Sequence, residues 1–297
     1  MERSSYINSK GEQFSYLQNE IKDNAINFVF FHATGFNAQT YNILLNKLDQ
    51  KFNSEINIYA LDQRGHGLSE AKAIPEDLTS WAPFVEDGLE FVDSLSGRTV
   101  CSGHSMGAVI AAKIAAKRKS ELVKLFMIEP VLFGPEQAKV WRQSQEKEKK
   151  PNIAEGAAKR RRYFDSVEEA LKSYVGRGAF KTWTDEWIHD YLKGGTQKSS
   201  DGGIELSCTP EWESMTFKSS SMDTWSFLKE IKVPTFTMAA TLVENSGSTF
   251  SEEARESLLQ LGSSWKLEVI DGASHFLPME FSDSVVERIQ SYILDEL

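Results

Sequence analysis

A serine between two glycines is the feature of this sequence that points most directly to chemistry. The segment Gly103–Gly107 reads Gly-His-Ser-Met-Gly; it follows a β-rich run at Thr99–Ser102 and leads into the small-residue run Ala108–Ala112. A residue on so sharp a strand-to-helix turn needs small neighbours two positions away, because the chain passes close to itself there. Such a turn holds the Ser105 hydroxyl at a sheet edge and a helix N-terminus, where a developing negative charge is favoured. The segment predicts a nucleophile at Ser105.

Strands and helices must alternate around this turn to hold it in place. Short apolar, β-branched runs predict strands, and longer amphipathic runs between them predict helices, which is typical of a mostly parallel sheet flanked by helices. The predicted strands of the first part are Gln13–Leu17, Ile26–His32, Ile56–Asp62, Thr99–Ser102 and Leu122–Ile128, and the predicted helices are Tyr41–Phe52, Trp81–Leu95 and Met106–Lys119.

The alternation stops after Pro130 and resumes near residue 228. Residues 132–227 contain no convincing apolar strand, and we interpret them as a helical cap domain inserted into an α/β core of residues 1–131 and 228–297. The elements predicted after the insertion are strands at Thr235–Ala240 and Lys266–Ile270 and helices at Glu252–Leu261 and Ser284–Leu297.

The inserted segment differs from the core in charge and in aromatic content. It holds 15 acidic and 15 basic residues, so the net charge of −10 belongs to the core, and it contains five of the seven tryptophans. Phe180, Trp183, Trp187 and Tyr191 recur at helical spacing and predict one helix with an aromatic face. That face either packs the insertion onto the core or roofs an apolar pocket.

Four segments together resemble the α/β-hydrolase superfamily, in particular its serine esterase and lipase members with a helical cap. They occur in the order and at the spacings of that family: His32–Phe36, Asp62–Ser69, Gly103–Gly107 and Gly272–Glu280. The resemblance implies a mostly parallel eight-stranded sheet flanked by helices, with the cap inserted after the sixth strand. It also implies that the Asp62–Ser69 loop braces the edge of the site rather than taking part in catalysis.

A serine hydroxyl needs a base within hydrogen-bond reach. The resemblance assigns this role to His275, which follows a strand near the C-terminus, where the family has its catalytic histidine. The other histidines are less suitable. His32 and His66 lie in loops that are structural in relatives. His104 points away from the serine in such turns, and His189 lies in the insertion.

The residue that orients the histidine departs from the common family pattern. Many relatives have an aspartate just after the strand that follows the cap, but Val243 lies near that place here. Glu129, at the end of the strand after the nucleophile helix, matches the acid of some other family members. Glu244 is one residue from the common place. We favour Glu129, and Glu244 remains the alternative.

Acyl transfer also requires donors for the oxygen that becomes negative. The resemblance assigns one donor to the backbone N–H of Met106 and the other to the loop His32–Phe36. Alignment with the family favours Thr34 in that loop, and Phe36 is the alternative.

These residues predict a serine hydrolase that cleaves carboxylic esters through an acyl-enzyme, with short to medium acyl or aromatic groups and with lactones as further substrates. The predicted substrate pocket is lined by Phe36, Trp183, Trp187 and Phe276. Alternatives on the same triad are a carbon–carbon bond hydrolase and a cofactor-free haloperoxidase; a receptor that retains the fold without turnover is an alternative of another class. The arginines Arg160–Arg162 either bind a substrate carboxylate or form a charged helix face.

The amino-acid composition limits which classes of binding partner and which compartments suit this protein. A net charge of −10 argues against a nucleic-acid footprint, which normally needs a basic surplus. Two cysteines are too few for a disulfide framework, and no apolar run reaches the length of a membrane span. We expect a cytoplasmic protein whose partner is a small-molecule ester, without cofactor, metal or membrane, as a monomer or homodimer.

Overall fold

The computed structural model describes residues 1–118, 121–136, 138–139, 152–220, 225–241 and 250–295. Its main sheet has eight strands in the order β1-β2-β4-β3-β5-β6-β10-β11. The first three strands in this order pair antiparallel and the remaining pairs are parallel. The strands are β1 (Glu2–Ile7), β2 (Gln13–Gln18), β3 (Asn27–Phe31), β4 (Asn57–Leu61), β5 (Thr99–His104), β6 (Leu122–Ile128), β10 (Thr235–Ala240) and β11 (Trp265–Ile270).

Eleven α-helices have bounds within the described residues. They are α1 (Asn42–Lys51), α2 (Ala82–Asp93), α3 (Met106–Lys117), α4 (Asn152–Ala158), α5 (Val167–Tyr174), α6 (Asp185–Gly195), α7 (Pro210–Lys218), α8 (Trp225–Leu228), α9 (Glu252–Leu259), α10 (Leu277–Glu280) and α11 (Ser282–Leu294). Short 3₁₀ helices occur at Ala38–Tyr41, Pro75–Asp77 and Gly178–Phe180. None of the helices in the described part of the chain is both long and apolar enough to cross a membrane.

Helices cover both faces of the sheet, which explains why its central strands are apolar throughout. Every residue of β3, β4, β5 and β10 is buried. Successive side chains point to opposite faces of a strand. Phe28 and Phe30 therefore pack with α1 and α11, whereas Val29 and Phe31 pack with α2, α3 and α9. This two-sided burial fixes the carboxyl edge of the sheet.

The predicted eight-stranded, mostly parallel sheet is confirmed, and one strand that the pattern analysis missed is β1. Its residues are polar and mostly exposed at the sheet edge, so they lack the apolar signal of the central strands. β1 is held by full antiparallel pairing with β2, from Glu2 opposite Gln18 to Ile7 opposite Gln13.

The segment between β6 and β10 is not purely helical, and the prediction that it lacks strands was wrong. It contains a three-stranded antiparallel sheet of β7 (Tyr163–Phe164), β8 (Thr196–Lys198) and β9 (Ile204–Leu206), with β9 in the centre. These strands have two or three residues each, too few for an alternating pattern to be recognised in the sequence.

The prediction of one helix carrying all four aromatic residues was also wrong. Phe180 ends a 3₁₀ helix and Trp183 lies in the following loop, because α6 begins only after its N-cap residue Thr184. Trp187 and Tyr191 do lie on α6. The four rings nevertheless belong to one buried cluster that includes core residues, so they pack the insertion onto the core.

Arg64 holds the loop after β4 through two carboxylates and a carbonyl. Its Nε and Nη2 donate to Asp87 at 2.8 Å each, Nη1 and Nη2 donate to Glu12 at 2.7 and 2.6 Å, and Nη1 donates to the Lys72 carbonyl at 2.8 Å. The hydrogen bond from Arg64 lowers the pKa of Glu12 to about 2. A planar guanidinium is well suited to such paired contacts.

Arg64→Met is expected to lower the free energy of unfolding by about 3–5 kcal/mol, because it leaves the Asp87 carboxylate buried without its cation. Urea unfolding followed by tryptophan fluorescence measures this change. Arg161→Met removes the same side chain from an exposed pair with Glu169 and should change stability little. Equal effects of the two substitutions would contradict the bracing role of Arg64.

Candidate active site

Ser105 lies at the turn between β5 and α3 in a conformation that few residues other than glycine adopt. Its φ is 58° and its ψ is −118°. A Cβ at Gly103 would lie 2.3 Å from the Gly107 carbonyl carbon, and a Cβ at Gly107 would lie 2.0 Å from the Phe31 carbonyl oxygen. Both glycines are therefore required by contacts with backbone, which cannot move aside. This packing explains the spacing of the motif and stores backbone strain at Ser105.

The structure brings three predicted residues together in one hydrogen-bonded row. The Ser105 Oγ lies 2.9 Å from His275 Nε2, and His275 Nδ1 lies 3.1 Å from Glu129 Oε2. With Nδ1–H donating to the carboxylate, Nε2 is the acceptor for the serine hydroxyl. The row can thus pass a proton from serine to histidine while the carboxylate stabilises the charged imidazole.

Glu129 is fixed more firmly than a surface acid would be. It follows β6 directly, its φ is 44°, and its side chain is fully buried. Its backbone N–H donates to the Met238 carbonyl at 2.8 Å, and its Oε1 accepts a hydrogen bond from the Ala240 N–H at the end of β10. The second oxygen is thereby left to face His275. The alternative acid, Glu244, lies outside the described residues.

The loop that carries His275 is held by a carboxylate that the sequence analysis did not single out. Glu280 accepts hydrogen bonds from the backbone N–H of Ser274 at 2.8 Å and from its hydroxyl at 2.7 Å. The Ser274 hydroxyl in turn accepts from the Phe276 N–H at 3.1 Å. Glu280 also accepts from the Thr182 hydroxyl at 2.7 Å. The insertion and the histidine loop therefore share this carboxylate.

His104 does not face the serine hydroxyl, as expected for its place in the turn, yet it connects two parts of the site. Its Nε2 lies 2.7 Å from the His275 carbonyl, and its Nδ1 lies 2.7 Å from the Tyr41 hydroxyl. Tyr41 also accepts from the Ala33 N–H at 3.2 Å. Burial holds the pKa of His104 well below its usual value, so a neutral ring donates through Nε2 to the carbonyl. Sequence reasoning missed Tyr41, since nothing in its neighbours marks it.

The oxyanion candidates lie beside each other at the ends of β3 and β5. The Thr34 hydroxyl donates to the Met106 sulfur at 3.3 Å. The Phe36 N–H already donates to the Ala33 carbonyl at 3.1 Å, and the Gly35 N–H donates to His66 Nε2 at 3.1 Å. Within the described part of the chain, the backbone N–H groups of Thr34 and Met106 have no such acceptor. Thr34 is therefore the candidate that remains in this loop.

Two buried imidazoles fasten the Thr34 loop to the loop after β4. His32 Nδ1 donates to the Ala33 carbonyl at 2.8 Å, and its Nε2 accepts from the Gln63 N–H at 2.9 Å. His66 Nδ1 donates to the Arg64 carbonyl at 2.9 Å while its Nε2 accepts from Gly35. Burial lowers the pKa of His32 to about 4 and that of His66 to about 3. Both rings accept and donate as neutral imidazoles, as this geometry needs.

The predicted pocket residues form a compact group of rings that contacts the site through Phe276, the neighbour of His275. Phe36 lies 5.1 Å from Trp183 and 6.2 Å from Phe276 between ring centroids, and Trp183 lies 5.8 Å from Phe276. Trp187 contacts this group through Trp183 at 6.5 Å. Three cavities in the described part of the chain, of about 290, 400 and 510 Å³, are not lined by Ser105. The Phe276 ring lies 5.8 Å from that of His275, so the ring group lies beside the histidine of the hydrogen-bonded row.

The three arginines after α4 are all paired. Arg160 donates to Glu213 and, at 2.6 and 3.2 Å, to the hydroxyls of Tyr191 and Tyr174. The other two arginines pair with glutamates in the same segment: Arg161 with Glu169 and Arg162 with Glu205. The prediction of a charged helix face was wrong, because α4 ends at Ala158.

The comparisons with known proteins agree with this fold. A family model described as the alpha/beta hydrolase family matches residues 28–288, which is most of the chain. The chain belongs to the alpha/beta hydrolase family. Human monoglyceride lipase is 34% identical over 113 residues, a match that covers 36% of this chain and 36% of the lipase.

Solved structures of alpha/beta hydrolase fold extend the similarity to nearly the whole chain. E-2-(acetamidomethylene)succinate hydrolase superposes with a TM-score of 0.76 at 18% identity, over 98% of this chain and 99% of that chain. The enol-lactonase from Burkholderia xenovorans LB400 superposes with a TM-score of 0.66 at 17% identity, over 98% of this chain and all of that chain. At this identity the similarity shows the shared fold.

Acid should weaken the protein through its buried histidines. An unfolded histidine binds a proton below about pH 6.5, whereas folded His66 stays neutral down to about pH 3. The free energy of unfolding should therefore fall as the pH drops from about 6.5 to 4, by about 1.4 kcal/mol per pH unit for His66. His66→Gln keeps an acceptor for Gly35 without titrating, and should remove that part of the slope.

Urea unfolding at several pH values measures these slopes. The control is Thr79→Gln, since Thr79 is exposed and the substitution adds or removes no titrating group, so the slope should stay as in the wild type. A His66→Gln slope equal to that of the wild type would show that His66 is not held neutral by the fold.

Proposed function

We propose that this protein is a serine hydrolase that cleaves carboxylic esters through an acyl-enzyme intermediate. The observation that carries the proposal is the distance of 2.9 Å between Ser105 Oγ and His275 Nε2, on an imidazole whose other nitrogen faces the buried Glu129 carboxylate. A hydroxyl, a base and an orienting acid in this order are what nucleophilic acyl transfer requires.

In the proposed first half-reaction, Ser105 Oγ attacks the ester carbonyl carbon while His275 Nε2 takes its proton. The carbonyl oxygen becomes negative and accepts hydrogen bonds from the Thr34 and Met106 backbone N–H groups. His275 then gives the proton to the alcohol oxygen as the C–O bond breaks. Glu129 stabilises the imidazolium throughout by accepting from Nδ1.

In the second half-reaction, water replaces the alcohol. His275 Nε2 takes a proton from the water as its oxygen attacks the acyl carbon, and the same backbone N–H groups bind the oxyanion. The proton returns to Ser105 Oγ when its bond to the acyl carbon breaks. The acid leaves and the starting state is restored, so ester and water yield acid and alcohol.

The surroundings of the site favour an uncharged, partly apolar ester. Phe36, Trp183 and Phe276 pack together beside the ring of His275, whereas Arg160 is occupied by Glu213. Apolar walls with few polar groups are typical of small-molecule sites. The partial similarity to human monoglyceride lipase supports an ester as the substrate class, with short to medium acyl or aromatic groups and with lactones included.

A receptor without turnover was the alternative that a missing aspartate would favour. The buried Glu129, 3.1 Å from His275, supports the enzyme instead, because it supplies the carboxylate that the common position lacks. As parts of the same proposal, residues 132–227 form a cap over the site, and the protein acts in the cytoplasm, where its two buried free cysteines stay reduced.

Hydrolysis of p-nitrophenyl esters from acetate to decanoate tests the nucleophile. Ser105→Ala should lower turnover at least about a thousandfold, because the covalent route is lost. Ser102→Ala is the matched control: its buried hydroxyl on β5 has no hydrogen-bond partner in the described structure, so turnover and folding should be unchanged. Absence of wild-type activity on every ester and lactone, combined with ligand-induced thermal stabilisation, would instead support the receptor.

Glu129→Gln tests the acid. The amide can occupy the same space but carries no charge to stabilise the imidazolium, so turnover should fall by about 10³–10⁴-fold with folding intact. The control is Glu268→Gln. Glu268 on β11 forms a partly exposed pair with Arg288 on α11, so this substitution should leave turnover unchanged. Near-normal turnover of Glu129→Gln together with an inactive Glu244→Gln would transfer the role to Glu244.

A further inference from the structure

The indole N–H of Trp183 is a buried donor without an acceptor. Its Nε1 is shielded from solvent, and no atom among the described residues accepts a hydrogen bond from it. The residue as a whole is 6% exposed. Most buried donors in folded proteins are paired, because an unpaired one loses its hydrogen bonds to water without replacement. A donor in this state needs a reason to be retained.

The position of Trp183 connects this donor with the proposed reaction. Its ring lies against Phe36 and Phe276, at 5.1 and 5.8 Å between centroids. Phe276 follows His275 directly, and the two rings are 5.8 Å apart. Phe36 lies two residues after Thr34. Trp183 therefore contacts both loops that hold the base and the oxyanion candidate.

An ester bound at Ser105 lies close to this ring group. His275 Nε2 is 2.9 Å from Ser105 Oγ, and the His275 ring is 5.8 Å from that of Phe276, which packs on Trp183. Phe36 and Phe276 offer apolar surface alone, whereas Trp183 adds one N–H with a defined direction. The neighbouring cation Arg160 is occupied by Glu213 and two tyrosine hydroxyls, so the vicinity favours a neutral acceptor over an anion.

We propose that the Trp183 indole N–H donates a hydrogen bond to a neutral oxygen of the substrate, such as an ether, hydroxyl or second carbonyl oxygen. This oxygen lies at a position of the substrate other than the scissile ester. This inference rests on the proposed ester hydrolysis and specifies its substrate class: apolar esters that bear one further hydrogen-bond acceptor. Trp183 is then a specificity-determining residue, and the unpaired donor of the free protein finds its acceptor in the bound ester.

Two series of esters test the proposal with Trp183→Phe. In one series an ether oxygen replaces the CH₂ at C3, C4 or C5 of the hexanoyl chain of a p-nitrophenyl ester. In the other an ether oxygen replaces the CH₂ at C3, C4 or C5 of the hexyl chain of a butyrate ester. The measured quantity is kcat/KM of each ether ester divided by that of its hydrocarbon parent. For at least one position this ratio should fall threefold to tenfold from the wild type to the variant.

Comparing ratios removes the intrinsic reactivity of each ester and any general loss of activity. Trp265→Phe is the matched control, because Trp265 is equally buried but lies on β11, in a different core cluster from Trp183; its ratios should match those of the wild type. Unchanged ratios for Trp183→Phe at every position in both series would overturn the proposal, as would the same fall in Trp265→Phe.

A binding measurement separates this proposal from the proposed function. The same esters are titrated by calorimetry into Ser105→Ala and into the double variant Ser105→Ala, Trp183→Phe. A threefold to tenfold loss of affinity confined to an ether ester supports the donor role even if the wild type hydrolyses no ester, which would overturn the proposed function alone. Equal affinity losses for ether esters and parents in the titration would overturn the donor role.

Discussion

The close packing of the β5–α3 turn against the end of β3 is the constraint on which the site depends. Gly107 lies so close to the Phe31 carbonyl that no side chain fits between them, and Ser105 takes up the strain with a positive φ. Because β5 lies between β3 and β6 in the sheet, the same turn is flanked by the Thr34 loop on one side and by Glu129 on the other. Sheet order thereby determines which groups can reach the hydroxyl.

Hydrogen bonds from neutral histidine rings hold the loops of this arrangement together. His32 and His66 join the Thr34 loop to the loop after β4, and His104 joins the serine turn to the backbone of His275. An imidazole can connect two backbones because it donates from one nitrogen and accepts at the other, which it does only while neutral. Burial lowers the pKa of these three rings and so keeps them neutral. The same low-dielectric surroundings that disfavour a charged ring therefore maintain the hydrogen bonds between the loops.

The segment between β6 and β10 contacts the loops around the site in two ways. Its aromatic residues pack over Phe36 and Phe276, and its polar groups reach the loops beneath: Thr182 donates to Glu280, which also holds Ser274. The arginines that suggested anion binding are used for internal pairing.

The sequence by itself determined the buried strands of the sheet and its serine turn, because buried parallel strands and a glycine-flanked turn leave patterns in neighbouring residues. It also predicted Ser105, His275 and Glu129 as partners, with Glu244 as the alternative acid, and the structure places these three in one hydrogen-bonded row. Only the tertiary structure brought Tyr41 and Glu280 to the site, the three short strands into one sheet and Phe180 and Trp183 onto the rings of α6. The physical reason is that these contacts depend on side-chain hydrogen bonds, loop conformation and burial, none of which leaves a periodic pattern in the sequence.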